Sequence, residues 1–355
     1  MKHLILAINP GSTSTKIAIY ENQTEVFKKS IRHQTEDIQA FKSVYEQFHF
    51  RKQTILDALK ETDYTLQDFQ AIVGRGGMLR PIESGTYAVN DLMLDDMKKA
   101  TRGEHASNLG CVIAKKLADE VNIPSFIVDP VAVDEMDDHA RFTGMPEIKR
   151  ASLFHALNQK AVALKAAVSL DKPYHETNLI VAHLGGGISV GVHKLGRVVD
   201  VNNALDGDGP MSPERSGSVP IGPLYKMVFS GKYTFEEIKR KNYGQGGLVA
   251  YLGTNDGYEI EQRIKNGDEK AKFIVEVMAY QIAKEIGSAA AVLKGQVDAI
   301  VLTGGLAYDS FIMDYIKDHV SFIGNILIFP GEDEMEALAL GALRVITNQE
   351  KAKEY

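Results

Sequence analysis

The chain has 355 residues, of which 44% are hydrophobic and 25% charged, more than one apolar core ordinarily serves, so two domains are expected. A formal net charge of −7 argues against nucleic acid or an anionic membrane as partner, because either would require a basic stripe. The single Cys111 excludes an internal disulfide and is too little for a structural zinc site, which fits a reducing compartment.

The amino-terminal apolar stretch is cut by Asn9-Pro10 and is too short for a signal peptide, and no run approaches the roughly 18 apolar residues of a spanning helix. A soluble cytoplasmic protein is expected. In chain order, His3 to Ile8 and Lys16 to Tyr20 read as strands around the turn Asn9-Pro-Gly-Ser-Thr-Ser-Thr15. Ile72-Val73 and Phe126 to Asp129 read as further strands, with a helix from Leu109 to Val121 between them. Leu179 to Ala182 and Ile188 to His193 repeat the hairpin around His183-Leu-Gly-Gly-Gly187. A buried helix from Phe273 to Leu293, buried strands Ala299 to Leu302 and Ile326 to Phe329, and a helix from Ala337 to Thr347 follow. The charged tail Gln349 to Tyr355 is expected to be frayed, exposed helix. The chain thus reads as two similar α/β halves, residues 1–150 and 151–355, each with a hairpin at its start. The boundary rests on the repeat alone, and the last helix is free to pack back on the first half.

Three turns invite chemistry. The Asn9–Thr15 turn offers hydroxyls and backbone N–H groups suited to phosphate oxygens, or is a polar surface turn, and it lacks the order of a Walker loop. The glycines at 185–187 expose backbone N–H groups and permit unusual φ values, as a polyphosphate loop or a tight hairpin would. Thr303-Gly-Gly-Leu-Ala307 follows a strand, where α/β folds bind ligands. No G-x-G-x-x-G opens a helix after a strand, which disfavours a dinucleotide oxidoreductase.

The two-hairpin plan resembles the acetate/sugar kinase, Hsp70 and actin superfamily. The motifs resemble the acetate kinase family over essentially the whole chain: Asn9-Pro-Gly-Ser-Thr-Ser-Thr-Lys16, His183-Leu-Gly-Gly-Gly-Ile-Ser189, Pro213-Glu-Arg-Ser-Gly217, Thr303-Gly-Gly305 and Pro330-Gly-Glu-Asp-Glu334. That resemblance implies two ribonuclease-H-like α/β domains, the actin-like ATPase duplication, with the active site in the cleft between them. It implies ATP/ADP and Mg²⁺ as cofactors and a short-chain fatty acid carboxylate, butyrate foremost, as acceptor. A homodimer or larger homo-oligomer is implied too.

Carried over on matching motifs, Asn9 and Glu334 would position Mg²⁺. Ser12, Ser14, Lys16, His183, Gly185, Gly186 and Gly187 would hold phosphates, and Asn255, Asp256, Gly304 and Gly305 would border the adenosine. Asp129, His155 and Arg215 would be the catalytic group, with His105 near the acyl site. Where the family carries Arg-Val-Val-His-Gly-Gly this chain has Ile72-Val-Gly-Arg-Gly-Gly77, so Arg75 stands in the histidine's place and Gly74 in a valine's. Gly74 is expected to open an acyl pocket walled by Ile72, Val73 and Phe154, since each added methylene buried there is worth about 0.8 kcal/mol. The alternatives of the same fold are a branched-chain, propionate or acetate kinase, a sugar kinase using Asp129 as base, and a non-catalytic nucleotide switch.

Overall fold

The computed structural model describes residues 2–355. The chain divides into two compact units, Met1–Asp134 with Asp333–Tyr355, and Glu135–Glu332. The division falls before the boundary at 150 expected from the repeat, and the last helix, Glu334–Ile346, belongs to the first unit.

The first unit is built on β1 (Leu4–Pro10), β2 (Ser14–Glu21), β3 (Thr24–Arg32), β4 (Ala71–Arg75), β5 (Thr86–Ala88) and β6 (Ser125–Val128), in the order β3-β2-β1-β4-β6-β5. β1, β2 and β3 form an antiparallel meander, and β4 and β6 add parallel to β1. β1 is buried throughout, as its unbroken apolar run requires of a central parallel strand. On one face Leu6, Ile8, Ile17 and Ile72 pack with Leu109, Ile113 and Leu117 of the helix Asn108–Glu120. On the other lies the helix Glu334–Ile346, so closely that a Cβ at Gly341 would collide with Val128.

The second unit repeats this plan with β7 (Asn178–Leu184), β8 (Ile188–Lys194), β9 (Arg197–Val201), β10 (Ala299–Gly304) and β11 (Asn325–Pro330), in the order β11-β10-β7-β8-β9. Again three antiparallel strands are followed by two parallel ones. Residues alternate along β7: Ile180, Ala182 and Leu184 face the long helix Glu269–Val292, while Leu179 and Val181 face the helix Ala156–Ser169. Each such fully buried aliphatic side chain contributes about 1.5–3 kcal/mol.

The carboxyl-terminal tail corrects the expected exposed helix. It runs extended beside β5, with Lys353 N–H donating to Thr86 O at 2.8 Å and Ala88 N–H donating to Lys353 O at 3.0 Å. The Tyr355 hydroxyl donates to Asp96 at 2.7 Å and accepts from Arg80 N–H at 3.0 Å. An unpaired sheet edge with its own donors and acceptors outweighs the helical propensity of so short a segment. Among the described residues no helix is long and apolar enough to cross a membrane.

Candidate active site

Strand register gathers the polar groups of the first unit at one edge of its sheet. Ile8 pairs with Gly74 and Arg75 with Val128, so Asn9, Arg75 and Asp129 stand together at the carboxyl ends of β1, β4 and β6. That is the edge where parallel α/β sheets bind ligands. The buried Asn9 donates through Nδ2 to Glu334 Oε2 at 2.7 Å, and Arg75 Nη1 lies 2.6 Å from Glu334 Oε1. Both carboxylate oxygens of Glu334 are thereby oriented from β1 and β4. Among the described residues no cluster of three or more His, Cys, Asp or Glu is arranged for a metal.

Asp129 is buried and sits at φ +37°, a left-handed conformation that costs a non-glycine residue about 1–2 kcal/mol. Its Oδ1 accepts from Ser84 Oγ at 2.6 Å and from Gly85 N–H at 2.8 Å, which ties the carboxylate to the turn before β5. Strain held at a buried carboxylate is common where orientation serves function. His105 Nδ1 accepts from Ser107 N–H at 3.2 Å. Loss of water, and then the charges of Arg75 and Arg51, hold its imidazole below the ordinary range, so it is neutral near pH 7.

Arg51 is a residue the sequence reading missed. Its guanidinium is fully buried behind the β1–β2 turn, donating to Ser14 O at 3.0 Å, Thr15 Oγ1 at 3.1 Å, Ser12 O at 3.4 Å and Gln47 Oε1 at 2.9 Å. Burial pushes it down to about 10. The turn is thus braced from within by a cation whose four partners there are all neutral. Its place in the helix Phe48–Leu59, amid ordinary polar residues, gave no signal. Ser12 and Lys16 are exposed and Ser14 partly so, with Lys16 opposite Asn9 in the hairpin.

In the second unit the register places His183 beside Thr303 and Gly304 beside Pro330, so the glycine turns after β7 and β10 and the segment after β11 share one edge. None of Gly185, Gly186 and Gly187 adopts a positive φ, which corrects the expected reason for them. At Gly187 and Gly185 the reason is space. A Cβ at Gly187 would overlap the Arg215 guanidinium, and one at Gly185 would sit 3.2 Å from His183 Nε2 and 3.3 Å from Glu332 Oε1. Arg215 lies over the Tyr243 ring, 4.7 Å from its centroid, and donates through Nη1 to Ala204 O. Its Nε is buried without a hydrogen-bond partner, as is His183 Nε2, although Glu332 Oε1 lies 3.0 Å from the latter.

His155 immediately precedes the helix Ala156–Ser169 and stacks on His183, ring centroids 3.8 Å apart and planes 10° apart. Its Nδ1 contacts Ser189 Oγ at 2.9 Å, and His183 Nδ1 contacts Asn158 Oδ1 at 2.8 Å. The second unit thus brings His155, His183, Arg215 and the glycine turn into one cluster. Of the two residues expected at the adenosine, Asp256 caps the helix Gly257–Lys265 by accepting from Glu259 N–H at 3.1 Å. Asn255 reaches Glu214 at 3.4 Å, and both are exposed. Gly304, at φ +92°, packs on the Leu184 backbone, whereas a side chain at Gly305 would meet open space.

Gly74 is a correction. A Cβ there would collide with the carbonyl of Gly110, and one at Gly110 would collide with that of Arg75. The two glycines let β4 and the helix Asn108–Glu120 touch backbone to backbone, and no acyl space is opened. Ile72 likewise lies in the apolar core, Val73 is fully buried in β4, and Phe154 is buried ahead of its helix.

This fold is shared with solved kinases. An acetate kinase from Porphyromonas gingivalis superposes with a TM-score of 0.81 at 19% identity, covering 97% of this chain and all of the other. A propionate kinase from Francisella tularensis gives 0.75 at 21% identity, covering 96% and 98%. The fold is therefore the actin-like ATPase fold. Residues 146–351 match the acetokinase family, and the chain belongs to that family. It is 55% identical over 355 residues, the full length of both chains, to butyrate kinase 2 of Clostridium acetobutylicum, and 55% identical over the same span to a probable butyrate kinase of Clostridium botulinum.

Proposed function

We propose that this chain transfers the γ-phosphoryl group of ATP to butyrate, reversibly, giving butyryl phosphate and ADP. A carboxylate oxygen attacks the γ-phosphorus in line as the bond to the β–γ bridging oxygen breaks, and the electron pair leaves with ADP. The acid arrives ionised, carboxylic acids being deprotonated at neutral pH, so the step needs no general base.

The observation that carries this reading is the Arg215 guanidinium, seated where a Cβ of Gly187 would be and with Nε unsatisfied. A planar, permanently charged fork against a glycine turn suits the equatorial oxygens of a phosphoryl group in flight. His155 and His183 add hydrogen-bonding nitrogens beside it, and His105 and Arg75 serve the acceptor. Asp129, locked by Ser84 and Gly85, is an orienting group. On this reading Gly304 and Gly305 lie near the adenosine.

Glu334, oriented by Asn9 Nδ2 and Arg75, and the amide oxygen of Asn9 would position Mg²⁺ held chiefly by substrate phosphates. Such an ion would neutralise charge on the β- and γ-phosphates. Self-association belongs to the same reading. Helices Ile221–Val228 and Phe235–Asn242 bury no residue, and Ile221, Phe229 and Phe235 are 61%, 86% and 78% exposed. A buried lone Cys111 accords with a cytoplasmic site of action.

Arg215→Ala tests the proposal, with a drop in kcat of about 100- to 1,000-fold expected while the protein stays folded and ATP still binds. Arg215→Lys should recover little of it, since an ammonium cannot reproduce the fork. Full activity in either variant would refute the assignment.

A further inference from the structure

A buried polar chain runs behind His155. Gln159 Nε2 lies 3.0 Å from the carbonyl oxygen of Ser189 and 2.8 Å from its Oγ, and Ser189 Oγ lies 2.9 Å from His155 Nδ1. On its other side Gln159 Oε1 lies 3.0 Å from His193 Nε2, whose Nδ1 lies 2.7 Å from the Tyr174 hydroxyl. Gln159, Ser189 and His193 are fully buried.

Donor and acceptor identities leave one arrangement. The Ser189 carbonyl can only accept, so the Gln159 amide nitrogen faces it and the amide oxygen faces His193. Ser189 Oγ therefore accepts from Gln159 and has its own proton for His155 Nδ1. His193 in turn donates from Nε2 and accepts from Tyr174 at Nδ1, as a neutral ring must. Burial, followed by the charge of Lys160, holds His193 well below the ordinary imidazole range, in agreement with that neutral state. Lys160 is itself neutralised by Glu135 at 2.7 Å.

We infer that Gln159 is a positioning residue that, through Ser189, fixes the His155 proton on Nε2. His155 is then an N–H donor at the nitrogen away from Ser189, already in the form that can hydrogen-bond a phosphoryl oxygen. Gly191 is the second mark of this role. A Cβ at that mid-strand glycine of β8 would collide with Gln159 Oε1, so the strand gives up a side chain to admit the amide. The inference deepens the proposed function and rests on the part given there to His155.

The test is the tautomer of His155 by ¹⁵N-histidine NMR, read alongside kcat in Gln159→Glu. A carboxylate at that position donates nothing to Ser189. The Ser189 hydroxyl proton turns toward it, and His155 takes its proton on Nδ1. The expected result is the Nε2–H form in the parent and the Nδ1–H form in Gln159→Glu. With it kcat falls about 10- to 100-fold, as when a group that orients an active-site histidine is lost, and nucleotide affinity is unchanged. In a His155→Ala background Gln159→Glu should change kcat no further. An unchanged tautomer, or an equal loss of kcat with and without His155, overturns the inference. A shifted tautomer with undiminished kcat supports the relay and refutes the proposed part of His155 in transfer. Ser189→Ala cuts the same link and carries the test if Gln159→Glu does not fold.

Discussion

Gly74 and Gly110 show how one atom decides a residue's role. Each faces the other element's backbone with no room for a methyl group. Gly74→Val should therefore destabilise the protein, by at least the roughly 1–3 kcal/mol typical of overpacking, because the colliding partner is main chain and cannot rotate away. Urea denaturation measures this, and an acid panel on any folded fraction should show the parent's acyl preference. A stable Gly74→Val protein that has shifted to shorter acids would restore the pocket reading. Sequence pattern could not separate a glycine that opens space from one that permits contact. Both leave the same letter, and only the neighbour across the gap distinguishes them. Gly187 is the opposite case: it uses no unusual φ, and what the turn needs there is room for Arg215. Arg51 and Gln159 gave no local signal, since their partners lie in other elements.

Strands with continuous apolar runs, β1, β7 and β10, were legible because burial on both faces keeps their middles apolar, with polar residues such as Asn9, His183 and Thr303 only toward their ends. β3 was not. It is an edge strand carrying Glu25, Lys28, Lys29 and Arg32, and its half-exposed alternation resembles a loop more than a core element. The carboxyl-terminal tail failed for a related reason, since its structure comes from pairing with β5 rather than from its own sequence. Tyr355→Phe removes a hydroxyl that both donates to Asp96 and accepts from Arg80 N–H. A loss of about 1–3 kcal/mol in unfolding free energy is expected, seen as a lower urea midpoint, if that network is satisfied as described. An unchanged midpoint would mean the tail contributes nothing there.

At the scale of the molecule, one strand order is used twice, and each sheet presents its chemistry at the carboxyl ends of its parallel strands. The first presents Asn9, Arg75 and Asp129, the second His183, the glycine turns and Glu332. This duplication was legible from two hairpins with polar turns. Its division was not, because the chain returns to the first unit after Glu332, and a linear reading sees only a final helix. The motif residues Asn9 and Glu334 lie far apart in sequence and meet at 2.7 Å through that return. The central claim is carboxylate phosphorylation with butyrate preferred. Its most direct test is acyl phosphate trapped with hydroxylamine from MgATP and, in turn, acetate, propionate, butyrate, isobutyrate and valerate. The account predicts the highest kcat/KM with butyrate. No acyl phosphate from any acid, in protein that still binds ATP, would contradict it.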